Sequence, residues 1–272
     1  MKLSASRERG LTIIELLIGM VLGLLVLAGV IQIFLSGNRS YSVQEGLGRV
    51  QETGRFADFY LSRVLREAGR PWVIGSSDGL PGPFFMPIDN RVGSDGQPLT
   101  RDGTPNGNGP DAITVMYQSD TNCLGNSTDY GAAAIRDFSG NLYARDQFLL
   151  DDANPPNLVC QGIGLNGAPV AGHRQPLVGG VDDFQVLYGI DTTGDGQANR
   201  FDNATNLAAN EWLSIVSLRF ALLVSSDRPV KSTNTADPHP FVVLDAPLRG
   251  PYSDGRLRQV FESTIELRNR SR

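Results

Sequence analysis

The side chains in this sequence that could bind a metal ion lie in one acidic segment. Five of them occupy the first, third, fifth, seventh and twelfth positions of a twelve-residue stretch, with glycine at the sixth: Asp191, Thr193, Asp195, Gln197 and Asp202. Oxygen ligands in this spacing, on a tight glycine turn, suit Ca²⁺. A calcium site is therefore one hypothesis. The alternative is a hairpin loop whose Asp and Gly residues serve only the geometry of the turn.

Other groups that could support catalysis are few. Gly75–Gly79 reads GSSDG and matches the G-x-S-x-G pattern, but the Pro-rich residues after it cannot start the helix that a nucleophilic serine needs. The only histidines, His173 and His239, lie in Gly/Pro-rich stretches, which disfavours a serine triad or a histidine-rich metal site. We therefore expect no enzymatic activity and no required cofactor. The net charge of −5, without an obvious basic face, argues against nucleic acid as a partner.

The two cysteines, Cys123 and Cys160, are the only thiols among the 272 residues. In an oxidising compartment the natural expectation is one disulfide between them, whereas in the cytosol both would remain free thiols. The choice between these outcomes depends on whether the chain is exported.

Glu15 lies inside a long apolar segment near the start of the chain. Residues 16–38 carry no formal charge, which is enough to cross a bilayer as a helix. Lys2, Arg7 and Arg9 precede the segment, so the leader should stay in the cytoplasm while the bulk is exported. The segment is longer than the apolar part of a cleaved secretory signal, and a plain signal anchor is the stronger alternative. Because a carboxylate inside a bilayer is costly, we expect Glu15 to have a partner.

The hexapeptide from Gly10 to Glu15, GLTIIE, resembles the prepilin processing site of type IV pilins and type II secretion pseudopilins. The resemblance implies that prepilin peptidase cuts between Gly10 and Leu11 on the cytoplasmic side and methylates the new amine of Leu11. It also implies that Glu15 pairs with the amine of a neighbouring subunit. The chain departs from the pattern at Leu11, where phenylalanine is usual, and at Gln32, where many major pilins carry proline.

Blocks further along the chain are similar to the PilW family of minor pilins: DAITVMYQ, PLVGGVDDFQVLYGIDTTGDG, EWLSIVSLRFALLV and VFESTIELRNR. The resemblance implies a minor structural subunit that helps initiate type IV pilus assembly near the tip. Its expected partners are other minor and major pilins, prepilin peptidase, the inner-membrane assembly platform and a tip adhesin. The alternative is a minor pseudopilin of a type II secretion system. A membrane-anchored periplasmic enzyme and a calcium-dependent tip-binding module are weaker alternatives.

The resemblance also implies a location and a division of the chain. The protein would sit in the inner membrane before assembly, with its C-terminal domain in the periplasm, and in the surface pilus afterwards. The expected parts are a cytoplasmic leader 1–10, a transmembrane and filament-core helix 11–38, an amphipathic continuation 39–70 and a periplasmic β-rich domain 71–272.

The order of a helix followed by strands predicts an α+β fold, with the long helix packed on a mostly antiparallel sheet. The resemblance implies that this fold is pilin-like or pseudopilin-like. After Arg39 the apolar residues recur at alternating four- and three-residue spacing, which indicates an amphipathic helix ending near Gly69. The predicted stripe consists of Val43, Leu47, Val50, Gly54, Ala57, Leu61, Val64 and Ala68. Residues 71–110 are predicted to be loop. The predicted strands are Ala112–Gln118, Asn141–Leu150, Val181–Ile190, Trp212–Val224, Phe241–Leu244 and Gln259–Leu267.

Overall fold

A computed structural model of the chain describes residues 12–68, 88–103, 109–136, 140–230 and 239–267. The chain divides into two compact units, Met1–Glu45 and Gly46–Arg272. Gly10 and Leu11, the segment Gly75–Gly79 and much of the predicted loop 71–110 lie outside the described residues.

The first unit is helical and apolar on every side. Helix α1 spans Ile13–Glu67 and continues into the second unit. From Ile13 to Leu35 its large hydrophobic side chains are 51–82% exposed. A helix that is apolar all round is typical of a membrane span or of the interior of an assembly. Among the described residues, α1 is the one helix long and apolar enough to cross a membrane.

The second unit begins with the amphipathic part of α1. The predicted stripe is confirmed from Val50 to Ala68, where the side chains facing the sheets are buried. Leu47 is instead 42% exposed, and Gly46 is buried. A 3.6-residue turn drifts away from a 3.5-residue repeat, so the buried position one turn before Val50 falls on Gly46. A side-chain carbon there would lie 2.8 Å from Val230 Cγ1, so glycine allows the close approach.

Strands of the second unit form two antiparallel sheets. The strands are β1 Ile113–Gln118, β2 Ile135–Arg136, β3 Leu142–Leu150, β4 Asn157–Ile163, β5 Pro169–Gly179, β6 Val181–Ile190, β7 Arg200–Asp202, β8 Ile215–Ser225 and β9 Arg258–Glu266. The first sheet has the order β1-β3-β4-β5, with β2 also paired to β3, and the second has the order β7-β6-β8-β9. Short 3₁₀ helices occupy Gly131–Ala133 and Glu211–Ser214.

One hydrophobic core joins α1 to both sheets. Leu61 and Leu65 of the helix share it with Phe148 of β3, Phe184 of β6 and Phe220 of β8, and all five are fully buried. The predicted α+β architecture, a long N-terminal helix followed by antiparallel strands, is thus confirmed.

One predicted strand began too early, and another predicted strand is not a strand in the structure. Trp212 starts no strand, because Glu211–Ser214 form a 3₁₀ turn and β8 begins at Ile215. Phe241–Leu244 make only an isolated bridge, Phe241 to Arg249. Leu244 has φ +50°, which ends an extended conformation, and Val243 is buried against Ala221 and Leu223 of β8.

Four strands, β2, β4, β5 and β7, are missing from the predicted set. In β5, Pro169 and Pro176 interrupt the pattern that usually marks a strand. Proline is tolerated there because β5 is the edge of its sheet, where an amide N–H need not pair.

Gly54 tests how closely α1 must approach β9. A side-chain carbon at Gly54 would lie 2.1 Å from Phe261 Cε2, so Gly54→Ala should push the helix and ring apart. We expect a loss of about 1–3 kcal/mol of unfolding free energy from overpacking. The matched control is Gly48→Ala, because Gly48 is in the same helix with no atom within 4 Å of the added carbon. That control should gain about 0.5–1 kcal/mol from helix propensity. Urea unfolding of the full chain in detergent, followed by near-UV circular dichroism, measures both.

Candidate functional site

Glu15 caps the first turn of α1. Its Oε2 accepts hydrogen bonds from the backbone N–H and the hydroxyl of Thr12, at 2.9 and 3.0 Å, and the N–H of Glu15 donates to Thr12 Oγ1 at 3.4 Å. Thr-x-x-Glu at the start of a helix is a capping box, a signal that the sequence contained and our sequence analysis missed. The Glu15 side chain therefore satisfies a helix-end amide of its own chain. Pairing of Glu15 with a neighbouring amine stays a prediction.

The acidic segment near residue 195 forms the loop of the β6–β7 hairpin. Asp191 Oδ1 accepts the N–H groups of Thr193 and Gly194 at 3.0 and 2.6 Å, and its Oδ2 accepts the N–H of Gly196 at 2.8 Å. These backbone hydrogen bonds, led by that of Gly196, lower the pKa of Asp191. The carboxylate is thus already engaged in holding the turn, as the hairpin alternative expects.

The hydroxyl of Thr193 lies 3.4 Å from Asp191 Oδ1, but the predicted acidic ligands Asp195 and Asp202 do not converge on Asp191. Asp195 Oδ1 accepts the N–H of Gln197, and Asp202 Oδ1 accepts from Asn203 and Asn206. Across the described ranges, one group of three acidic, cysteine or histidine side chains brings its ligand atoms within 4.8 Å, and it lies elsewhere, at Cys123, Asp146 and Cys160. Calcium binding stays a prediction with no preformed acidic site behind it.

A disulfide joins Cys123, in the loop after β1, to Cys160 in β4, with the Cα atoms 6.6 Å apart. Cys160 is fully buried and Cys123 is 6% exposed. In this arrangement the loop is fastened to the middle of the first sheet. Tyr60 of α1 donates its hydroxyl to the carbonyl of Cys123, so the same loop also contacts the helix.

Asp146 of β3 is a buried acid next to the disulfide. Its Oδ2 accepts the hydroxyl of Tyr117 at 2.5 Å and the backbone N–H of Cys123 at 2.7 Å. Its Oδ1 is buried with no hydrogen-bond partner among the described residues. Burial raises the pKa of Asp146 to about 6, against the lowering effect of those two hydrogen bonds. The role of Asp146 could not be predicted from the sequence, because its partners are distant along the chain.

A second buried acid, Asp111, lies just before β1. Its two oxygens accept the N–H groups of Gly103 and Val186, at 2.8 and 2.7 Å. Burial, together with the nearby Asp102 and Asp245, raises the pKa of Asp111 to about 8 despite these bonds. The carboxyl connects the loop before β1 to the middle of β6.

Arg145 is the largest fully buried side chain, and it pairs with a buried acid. Arg145 Nε lies 3.0 Å from Asp89 Oδ2, and its Nη1 donates to the carbonyl of Gly164 at 2.8 Å. Arg91 adds a second cation, with Nε and Nη2 at 3.0 and 2.9 Å from Asp89. This cluster ties the segment 88–103 to β3. The cluster is an internal support, in which one carboxylate, Asp89, pairs with the guanidinium groups of both Arg145 and Arg91.

The N-terminal helix and the antiparallel sheets define a pilin-like class of protein, and family comparisons specify it further. The model of the prokaryotic N-terminal methylation motif matches residues 5–31. The model of type IV pilus-assembly protein W, PilW, matches residues 148–269. Together the two matches support assignment to the PilW family of type IV pilus minor pilins.

Comparison with known proteins and structures adds distant likenesses. No curated protein matches the chain in sequence. A type IV-like pilin from Thermus thermophilus is 15% identical with a TM-score of 0.43, and the match covers 82% of this chain and 100% of that one. A binary complex of two pseudopilins from the type 2 secretion system of Vibrio vulnificus is 12% identical with a TM-score of 0.29, covering 83% of this chain and 93% of that chain.

The buried ion pair gives a test of stability. Asp89→Ala leaves the buried guanidinium of Arg145 without its main counter-charge, and we expect a loss of about 3–5 kcal/mol of unfolding free energy. Asp227→Ala is the matched control, because it breaks the pair Arg49–Asp227, whose side chains are 55% and 61% exposed. The control should cost less than about 1 kcal/mol. Equal losses in the two variants, measured by urea unfolding, would contradict the role assigned to Asp89.

Asp146 should make stability depend on pH. Because its folded pKa of about 6 lies above the ordinary 3.8, the folded chain holds a proton that the unfolded chain releases. This contribution is complete below pH 4 and is lost as the pH rises through 6. At pH 8, Asp146→Asn should therefore be more stable than the wild type, by up to about 3 kcal/mol, since Asn Oδ1 can accept both hydrogen bonds. The difference should vanish near pH 4; chemical unfolding of both chains between pH 4 and 8 measures it.

Proposed function

We propose that this chain is a minor pilin, a non-catalytic structural subunit that helps initiate type IV pilus assembly and sits near the pilus tip. The observation that carries the proposal is the first part of α1, whose large hydrophobic side chains are exposed from Ile13 to Leu35 and which overlaps the methylation motif matched at residues 5–31. The PilW match over residues 148–269 supports assignment to the minor subunits.

The PilW match over residues 148–269 also favours a structural role over an enzymatic one, because pilins typically serve as filament subunits. No cofactor is needed for such a role. A calcium-dependent binding module at the tip is a weaker candidate, since Asp191 is already engaged by backbone amides.

The proposed route starts with a precursor in the inner membrane, whose leader 1–10 is cytoplasmic and whose second unit is periplasmic. Prepilin peptidase cuts between Gly10 and Leu11 and methylates Leu11. The assembly platform then moves the helix from lipid into contact with major and minor pilins. A lipid chain and a neighbouring apolar helix are similar environments for leucine and isoleucine side chains, so little hydrophobic free energy opposes this transfer.

Glu15 is the side chain expected to make a specific contact between subunits on this route. An acid in an apolar setting is stabilised by a nearby cation, and cleavage would create a free amine at Leu11 four positions away. In the described contacts, both hydrogen bonds that Thr12 donates are accepted by Oε2 of Glu15. We therefore propose that Glu15 caps its own helix and also pairs with the amine of an adjacent subunit.

The alternative is a minor pseudopilin of a type II secretion system, which shares the processing motif and the helix. Mass spectrometry of purified filaments separates the two. Recovery of this chain with type IV pilins, and with a tip adhesin, supports the pilus. Recovery only with secretion-system pseudopilins supports the alternative.

Gly10→Ala tests processing. Because the peptidase is expected to require the small residue before the cut, the variant should keep the full precursor mass, whereas the wild type should lose the leader and gain one methyl group. Gly23→Ala is the matched control: it lies in the helix with no atom within 4 Å of the added carbon and should be processed normally. Intact-protein mass spectrometry measures the mass of each chain. Loss of the leader from Gly10→Ala would contradict cleavage after Gly10.

Three substitutions separate the two roles proposed for Glu15. Glu15→Gln keeps an acceptor for the Thr12 N–H, since glutamine also completes a capping box, but it removes the charge. Thr12→Ala removes the capping partner and keeps the charge, while Glu15→Ala removes both. If pairing dominates, Glu15→Gln and Glu15→Ala should both be processed yet reach filaments at less than about a tenth of the wild-type level, since one lost charge pair of 1.4 kcal/mol is tenfold.

Thr12→Ala should then incorporate near normally in quantitative immunoblots of sheared filaments. Normal incorporation of Glu15→Gln with poor incorporation of Thr12→Ala would reverse the assignment and make capping the main role of the acid.

A further inference from the structure

A surface cavity lies beside the disulfide. A surface cavity of about 370 Å³ opens between the end of α1 and the loop after β1, and its lining includes Tyr60, Arg63, Glu67 and Cys123. Cys123 is 6% exposed, whereas Cys160 is fully buried. A small thiol or disulfide reagent that enters this cavity therefore meets the sulfur of Cys123 first, with Cys160 behind it.

Asp146 lies against both sulfurs. One carboxylate oxygen and the two Sγ atoms are all within 4.8 Å of one another. The side chain is fully buried. Its Oδ2 is held by the hydroxyl of Tyr117 and the N–H of Cys123, while its Oδ1 has no hydrogen-bond partner among the described residues. A buried acceptor without a donor is costly, and a thiol in the reduced protein would supply the missing donor.

We propose that Asp146 is the proton acceptor for the Cys160 thiol when the disulfide closes, and the donor that returns this proton when it opens. The thiolate, not the thiol, is the nucleophile in disulfide exchange, and burial away from water disfavours the thiolate of Cys160. A carboxylate oxygen within 4.8 Å of the sulfur removes this obstacle, because the proton has a place to go without bulk solvent.

The closing step balances with a disulfide oxidant of low molecular mass, such as oxidised glutathione. The thiolate of Cys123 first attacks the oxidant, forms a mixed disulfide and releases one glutathione thiolate. Cys160 then gives its proton to Asp146, and its sulfur attacks the Cys123 sulfur. The second glutathione thiolate leaves as the Cys123–Cys160 bond forms. Two protein thiols are oxidised, and one glutathione disulfide is reduced to two thiolates. These take up, through solvent, the proton that Cys123 lost on becoming a thiolate and the proton that Asp146 releases.

The groups facing Asp146 suit this role. Tyr117 of β1 donates to its carboxylate, and the charge of Asp146 contributes to raising the pKa of Tyr60 in α1 and of Tyr130 in the loop after β1, behind the larger effect of burial. Further out, Arg63 acts on Tyr60 and Glu67 acts on Tyr117. Burial raises the pKa of Asp146 to about 6. A base with a pKa just below the working pH is ionised yet still accepts a proton readily.

A purely structural role is the competing explanation, in which Asp146 only holds Tyr117 and the loop amide. The two roles differ in what Asp146→Asn changes. Asparagine can keep both hydrogen bonds through its single oxygen but cannot take a proton. A structural role predicts unchanged closing kinetics in this variant, whereas the proton-acceptor role predicts slow closing in a folded chain.

The experiment uses the full chain in detergent, reduced with dithiothreitol, freed of reductant and mixed with oxidised glutathione between pH 5 and 9. Samples are quenched in acid, and mass spectrometry counts reduced, mixed-disulfide and closed forms. In the wild type, closing should rise through an inflection near pH 6. In Asp146→Asn it should be about 100-fold slower at pH 7, the lower end of what a positioned base contributes. Formation of the mixed disulfide, which involves only Cys123, is the internal control and should not change.

The substitution Tyr117→Phe provides a second, independent test of the proposal. Loss of the hydroxyl removes a hydrogen bond that lowers the pKa of Asp146, so the inflection for closing should move to higher pH while the carboxyl remains. Near-UV circular dichroism of each oxidised variant checks that the fold is kept. Equal closing rates and pH profiles in the wild type and folded Asp146→Asn would overturn the proposal. If that variant does not fold, an unmoved inflection in Tyr117→Phe would overturn it.

Discussion

Burial of one helical stripe is the interaction on which the second unit depends. Leu61 and Leu65 reach a core that receives side chains from both sheets, so the helix supplies the surface that the strands must cover. Close contact is possible because small residues alternate with large ones along the stripe. Gly54 lies where the ring of Phe261 approaches the helix backbone, and Ala57 is fully buried one turn later. Side-chain volume at a few positions thus sets the distance between α1 and β9.

Buried charges play a second, complementary part in the structure. Besides apolar residues such as Ile88, buried polar side chains attach the loops before and after β1 to the sheets. Asp89 meets Arg145, Asp111 accepts amides from two segments, and Asp146 accepts the amide of Cys123. Each bond fixes a loop that hydrophobic contact alone would leave poorly specified. Each also removes a carboxyl from water, and where no cation compensates, as at Asp111 and Asp146, the pKa rises.

How far the sequence predicted the structure depended on the range of the interactions involved. The amphipathic repeat after Val50 and the strand pattern of Val181–Ile190 are local, and the predicted helix and the predicted strand β6 were both confirmed. The strand β5 was not predicted because prolines interrupt its pattern. The hairpin at Asp191 was ambiguous because turn geometry and calcium binding favour the same residue types. Pairs such as Asp89–Arg145 could not have been found, since the sheet brings together residues that are far apart in sequence.

The edge strand β5 has a consequence for any setting in which copies of this chain are crowded together. Its residues are mostly exposed from Pro169 to Gly179, and an open edge of this length is a template for pairing with another chain. Pro169 and Pro176 each remove an amide hydrogen from that edge. A neighbouring strand could therefore not form an unbroken ladder along it, and crowded subunits are protected from fusing sheet to sheet.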